Sequence, residues 1–316
     1  MKGYILKRLL SLIPVLMIVS VVVFLLIHIT PGDPAAVILG PDASPAEVAE
    51  LREQLGLNLP LYEQFAKWLL GIIQGDLGYS YFMDESVLQA FMLHLGPTFS
   101  LAVMAQLFAV ILAIPLGVIA ARKRGTIIDQ TFMGFSLMGI SVPSFLLGLF
   151  LILFFAVKLK ILPVAGYKPV SDGLFQHVRY LLLPTIALGS MQAALIARMT
   201  RSTMLDILNA NYIKTARSKG VKEIIIVYKH ALKNAFIPIL TVIGQTFGTL
   251  IAGAAVVETV FNIPGIGQLI VNSVERRDFA VIQGSVLLIA ISYVAINLVI
   301  DLLYSVIDPR VRLAKK

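Results

Sequence analysis

The sequence predicts an all-α integral membrane protein of about six transmembrane helices, with an external segment between the first two spans. Three observations carry this. Of the 316 residues, 58% are apolar, more than the roughly 45–50% of a soluble domain. The apolar residues gather in runs of about 20, the length that crosses a ~30 Å hydrocarbon layer as a helix. Most of the 26 Lys and Arg residues collect at the termini and in alternate connections between these runs.

Lys2, Lys7 and Arg8 precede the first run, residues 9–29. A cleavable signal sequence has a shorter apolar region and a small-residue cleavage site. This run instead ends in TPGDP, so residues 1–30 are expected to stay as span one. From 31 to 96 the chain carries Asp33, Asp42, Glu47, Glu50, Glu53, Glu63, Asp76, Asp84 and Glu85 against Arg52 and Lys67. This is the expected external segment. Within it, Ser44-Pro45 followed by Glu47 signals a helix start and Gly56 a stop. A second amphipathic stretch, 62–73, holds the single tryptophan, Trp68, and suits a membrane interface.

Residues 97–307 form the expected core domain. Span two, 98–121, ends in Arg122, Lys123 and Arg124; span three, 133–157, leads to a connection holding Lys158, Lys160, Lys168 and Arg179 against Asp172. Span four, 180–197, delivers the basic stretch 199–235. Span five, 236–257, and span six, 281–307, precede a basic tail, 308–316. This topology puts 18 Lys and Arg inside and 8 outside, as the positive-inside rule requires, with both termini cytoplasmic.

Several functions are excluded or disfavoured. A net charge of +8 would suit nucleic acid if it formed one face, but it lies in connections between spans, so no nucleic-acid partner is expected. The absence of cysteine removes disulfides and thiolate metal sites. No Gly-Lys pair exists to build a phosphate-binding loop. His28, His94, His177 and His230 lack metal-ligand spacing. No catalytic residue, metal site or cofactor is expected in this chain.

Around residues 209–235, Tyr212, Thr215 or Ala216, and Lys219 recur at helical spacing, Gly220 permits a positive-φ turn, and 222–228 suits a second short helix. Charge alone equally fits an ordinary inside connection. Glu258 to Gly267 contains Pro264, Gly265 and Gly267, which disfavour continuous helix and suit either a plain loop or a bent segment at the external mouth. Gly244, Gly248 and Ala252 give small-residue spacing for close helix packing, within the chain or against a partner. Gln106, Gln192, Gln245, Asn297 and Asp301 are polar residues within spans, with structural or solute-lining roles open.

YIKTARSKG, followed by HALKNA, resembles the EAA loop of permease subunits of binding-protein-dependent ABC importers. The general pattern, Glu-Ala-Ala, three residues, Gly, nine residues, Ile-x-Leu-Pro, falls on Lys214, Thr215, Ala216, Gly220, His230, Leu232 and Lys233. Ala216, Gly220 and Leu232 match it. The divergent form is similar to the dipeptide/oligopeptide/nickel branch. LKRLLSLIPVL, TPGDP, LREQLGLNLPLYEQF, GDLGYS, ISVPSF, ARMTRSTMLDIL, ETVFNIPGIGQL, RRDFAVIQG and DLLYSVIDPRVR extend that resemblance along nearly the whole chain, to the first permease subunit.

The resemblance implies a type I ABC importer permease fold in a bacterial or archaeal cytoplasmic (inner) membrane. It implies a second homologous permease, two ATP-binding subunits that hold ATP and Mg²⁺, an extracytoplasmic solute-binding protein and a di- or oligopeptide substrate. Nickel or a nickel chelate is the alternative within the family, and a proton-coupled secondary transporter is the rival outside it. Tyr212, Thr215, Ala216, Arg217, Gly220 and Lys222 would contact an ATPase subunit, Ala216 by allowing close approach and Gly220 by making the turn. Glu258, Phe261, Pro264, Gly265 and Gly267 would belong to an external gate.

Overall fold

The structure, a computed structural model, describes residues 2–29 and 32–307, with side chains for all of these except 2–9, 11, 252, 253 and 301–307. The tail 308–316 and the side chains of Ala252 and Asp301 therefore lie outside the described residues. In chain order the helices and strands are α1 (Lys2–Ile29), α2 (Pro34–Leu39), α3 (Pro45–Gln54), α4 (Leu61–Ile73), β1 (Tyr79–Ser80), β2 (Glu85–Ser86) and α5 (Val87–Arg122). There follow α6 (Ile127–Ser141), α7 (Ser144–Leu151) with a π-helical extension (Ile152–Lys158), α8 (Leu174–Leu208), α9 (Asn211–Ser218) and α10 (Glu223–Ile225). The latter runs through a π-helical stretch (Ile226–Leu232) into α11 (Lys233–Gly253). α12 (Ala255–Val260), α13 (Ile266–Arg276) and α14 (Phe279–Ile307) complete the order. Among the described residues, five helices are long and apolar enough to cross a bilayer, and six spans result if α6 and α7 with its extension count as one.

The chain divides into two compact units, 1–96 with 265–295, and 97–264 with 296–316. In the first, α3 begins with a capping box: Ser44 Oγ accepts from the Glu47 N–H at 3.3 Å, and Glu47 Oε2 accepts from the Ser44 N–H at 2.8 Å. It ends at Gly56, φ +68°, where the Gly56 and Leu57 amides return to the Glu53 and Arg52 carbonyls, a Schellman turn. Both signals were legible in the sequence. Polar side chains hold the next turn: Gln64 Nε2 donates to the Leu57 and Leu59 carbonyls at 3.1 and 2.8 Å, and Arg52 pairs with Asp33 at 3.0 Å. Phe65 and Trp68 of α4 stack near Phe24 of α1, with ring centroids 5.3 and 5.8 Å away.

The second unit is built around α8. A Cβ placed on Gly189 would lie 2.7 Å from the Ala105 carbonyl oxygen, and one on Gly117 would lie 2.6 Å from Thr200 Cβ. Glycine at these two positions lets α5 and α8 approach closely. Arg201 of α8 grips Asp129 of α6 with two hydrogen bonds, 2.6 and 2.7 Å, and Asp129 Oδ2 also accepts from the Gly125 N–H at 3.0 Å. Asp129 is buried, so this pairing satisfies a carboxylate that would otherwise be costly to hold there.

Three sequence expectations change. Span three is not one helix: α6 and α7 are bent by 101°. Pro143 has no N–H to continue the ladder and pushes Val142 to extended dihedrals, φ −86°, ψ 120°. Span four is far longer than 180–197, so Arg198 and Arg201 are helical and not part of a loop. The helix expected over 222–228 does not end there, because the chain from Glu223 continues helically to Gly253.

Candidate functional site

The basic hairpin folds as two arms over an aliphatic floor. On α9, Ile213 is fully buried and Ala216 partly so; from the second arm, Ile226, Val227 and Ala231 are fully buried, and all join one cluster with Ala235 and Ile239 of α11. The turn is a second Schellman motif: Gly220 sits at φ +77°, its N–H returns to the Arg217 carbonyl at 2.9 Å, and the Val221 N–H returns to Ala216 at 3.2 Å. Ala216 and Val221 both pack against the cluster. The small Ala216 thus serves the hairpin's own packing, whereas Tyr212, Thr215 and Lys219 are exposed.

Arg217 clasps Glu223 across the turn, Nη2 to Oε1 at 2.8 Å and Nε to Oε2 at 3.2 Å. This hydrogen bonding raises the pKa of the Arg217 guanidinium further. Glu223, absent from the expected site residues, is the one acid within the basic run and in hindsight was its legible partner. Apolar side chains also stand outward: Tyr212 and Tyr228 are 47% and 49% exposed, and Ile224 and Ile225 are exposed beside them in sequence. Among Lys214, Lys219, Lys222 and Lys229, these groups form an amphipathic surface suited to a protein partner.

The expected gate residues do not form one exposed cluster. Glu258 is buried and accepts from Thr98 Oγ1 at 2.6 Å. Phe261 is buried, its carbonyl accepts from the Gly166 N–H at 2.7 Å, and a Cβ on Gly148 would lie 2.9 Å from its ring. Pro264 is exposed. Gly265 and Gly267 fall in the other compact unit, at the N-cap and in the first turn of α13. The bend after α12 is made by Asn262, at φ +47°, with the Asn262 and Ile263 amides returning to Thr259 and Glu258. Asn is among the few residues that accept this conformation readily.

A Cβ on Gly244 would lie 2.6 Å from Ile300 Cγ2, which places Gly244 in packing within the chain, against α14. Gly248 is buried on the same helix, and the side chain of Ala252 lies outside the described residues. Of the polar span residues, Gln106 is buried and accepts from Thr246 Oγ1 at 3.3 Å. Gln192 and Gln245 come together in a groove of about 770 Å³ between α8 and α11, which Asn297 does not line.

Residues 113–313 match the family described as "Binding-protein-dependent transport system inner membrane component", and 1–102 match its N-terminal counterpart. The chain belongs to this family. It is 45% identical over 309 residues to the "Probable peptide ABC transporter permease protein y4tP" of Sinorhizobium fredii, covering 98% of this chain and 99% of the relative. It is also 45% identical over 312 residues to the "Glutathione transport system permease protein GsiC" of Escherichia coli K12, covering 99% of each. In fold it is similar to a permease chain of the inward-facing MetNI methionine ABC transporter: TM-score 0.56, 21% identity, 67% of this chain and 93% of that one.

The protein is therefore the multi-pass inner-membrane permease of an ABC importer. A partner permease, ATPase subunits and a solute-binding protein complete such a system, and ATP hydrolysis belongs to the ATPase subunits. The secondary-transporter reading is thereby removed.

Proposed function

We propose that this permease carries di- and oligopeptides, lining their path together with a second, similar permease. The observation that supports this most is 45% identity over essentially the whole chain to relatives named for peptide and glutathione transport, glutathione being itself a tripeptide. The positive-inside bias supports a cytoplasmic side for both termini and the hairpin.

There the hairpin would seat in a cleft of an ATPase subunit, with Tyr212, Thr215 and Lys222 at the contact, Arg217 bracing the turn from within, and Gly220 and Ala216 shaping it. Its floor of Ile213, Ile226 and Val227 joins it to the helices of the core, so a push on the hairpin is delivered to α8 and α11. Two ATPase subunits would hold the ATP and Mg²⁺, leaving this chain without a cofactor of its own. The segment around Glu258 to Gly267 would act at the outer mouth, moving as packed helix ends more than as an exposed loop.

The test is to purify the tagged permease with its bound subunits, reconstitute the complex in liposomes with its binding protein, and measure ATP-dependent uptake. Uptake of labelled dipeptides or glutathione is the expected result. Uptake of nickel with no peptide transport would overturn the substrate assignment.

A further inference from the structure

The groove between α8 and α11 carries polar side chains and a guanidinium on two otherwise apolar helices. Both helices are membrane-crossing by length and composition. Yet Gln192, Arg198 and Ser202 of α8 and Gln245, Thr246 and Thr249 of α11 line one groove, together with Ser144. Arg198 and Ser202 on α8, and Gln245 and Thr249 on α11, are each one turn apart, and with Gln192 they make a discontinuous polar stripe among apolar lining residues such as Leu195 and Met199. Polar and ionised groups on membrane-crossing helices belong against water, solute or protein and not against lipid tails.

Two members of that stripe lack partners. Gln192 is only 7% exposed, and its Oε1 accepts no hydrogen bond. Arg198 is exposed into the groove and, among the described residues, has no ion pair, whereas its neighbour Arg201 is fully engaged by Asp129. No Asp or Glu lines the groove. A lone guanidinium in such a setting favours a carboxylate, which it can grip through two parallel N–H donors, and a buried amide oxygen favours an N–H. The six residues from Gln192 to Arg198 rise about 9 Å along the helix, comparable to two or three residues of extended peptide.

We propose that this groove is a station on the solute path, where Arg198 binds the carboxylate of a passing peptide and Gln192 Oε1 accepts from its backbone N–H or ammonium group. This rests on the peptide reading above. It adds a requirement: the permease itself, and not only the binding protein, distinguishes a free acid from its amide.

The experiment uses the purified complex of both permeases and the ATPase subunits, without binding protein. Binding of radiolabelled alanyl-phenylalanine is competed with the unlabelled dipeptide or with its C-terminal amide. The unmodified complex should prefer the acid by about tenfold, one unit of log affinity. Arg198→Gln should bring that ratio to about one, and Arg198→Lys should keep part of it.

A preference that survives Arg198→Gln, an absent preference, or no binding at millimolar peptide overturns the proposal. So does loss of the second permease from the Arg198→Gln complex on gel filtration, which would assign Arg198 to a subunit contact. If the complete system with binding protein transports no peptide, the substrate reading has failed instead, and that measurement is independent of the Arg198 ratio.

Discussion

The segment between α1 and α5 and the hairpin between α8 and α11 are both polar insertions that turn at a positive-φ glycine, Gly56 and Gly220. They are held by different forces. The first relies mainly on hydrogen bonds, an ion pair and ring contacts: the Ser44–Glu47 box, Gln64 to two carbonyls, Arg52 to Asp33, and Phe65 and Trp68 against Phe24, while α3 and α4 bury no residue completely. The hairpin has no side-chain cap on α9 but buries Ile213, Ile226, Val227 and Ala231 in an aliphatic cluster shared with α5, α8 and α11. α3 and α4, held mainly in the first way, can shift with little loss of buried contact. A segment held by the core cannot, and that suits a part that must transmit force.

The contrast breaks most readily at the floor of the hairpin. Ile226→Ala removes a fully buried side chain and should cost about 2–5 kcal/mol. The measurement is the thermal unfolding midpoint of the purified complex beside the ratio of solute moved to ATP hydrolysed; a lowered midpoint with an intact ratio would mean that the floor holds the fold but does not transmit.

A smaller effect is expected at the turn. Gly220→Ala forces a side chain into left-handed dihedrals, a cost of about 1–2 kcal/mol, although nothing lies within 4 Å of the added Cβ. Membrane insertion should be unchanged while uptake falls. Gly220→Pro, whose ring cannot adopt φ +77°, should abolish uptake. Normal coupled transport by a correctly inserted Gly220→Pro permease would sink the lever role of the hairpin.

The smallest effect belongs to the other region. The Ser44 hydroxyl and amide hold the Glu47 carboxyl below its ordinary value of 4.5. Because the folded pKa is depressed, the cap contributes fully above that ordinary value and is lost as pH falls through the lower, folded one. Amide exchange in 45–54 should therefore quicken only under acid conditions in the unmodified protein and at neutral pH in Ser44→Ala. Equal protection at both pH values would show that the box contributes nothing.

What the sequence disclosed was whatever depends on neighbours along the chain. Apolar runs gave the spans, Ser44-Pro45 and Glu47 the start of α3, and Gly220 the turn of the hairpin. What stayed hidden depends on residues distant in sequence. Asp129 and Arg201 are 72 residues apart, and nothing local marks them as partners. Gly117 and Gly189 look like ordinary span glycines until α5 and α8 are set side by side. Ala216 also has a face to fill within its own chain. The 101° bend had a visible cause in Pro143, yet the apolar run on both sides masked it, since hydropathy is blind to backbone direction.

The paired close approaches of α5 and α8 have an electrical consequence. Ala105 meets Gly189 and Gly117 meets Thr200, in the same order along both helices, so the two run parallel. Their ends therefore emerge together, and Arg122, Lys123, Arg124, Leu208 and Arg217 line a common hollow. The basic turn after α5 and the hairpin after α8 cannot take opposite sides of the membrane. A potential of 100 mV is worth about 2.3 kcal/mol for each charge carried across it, so the cationic end acts as a single electrode.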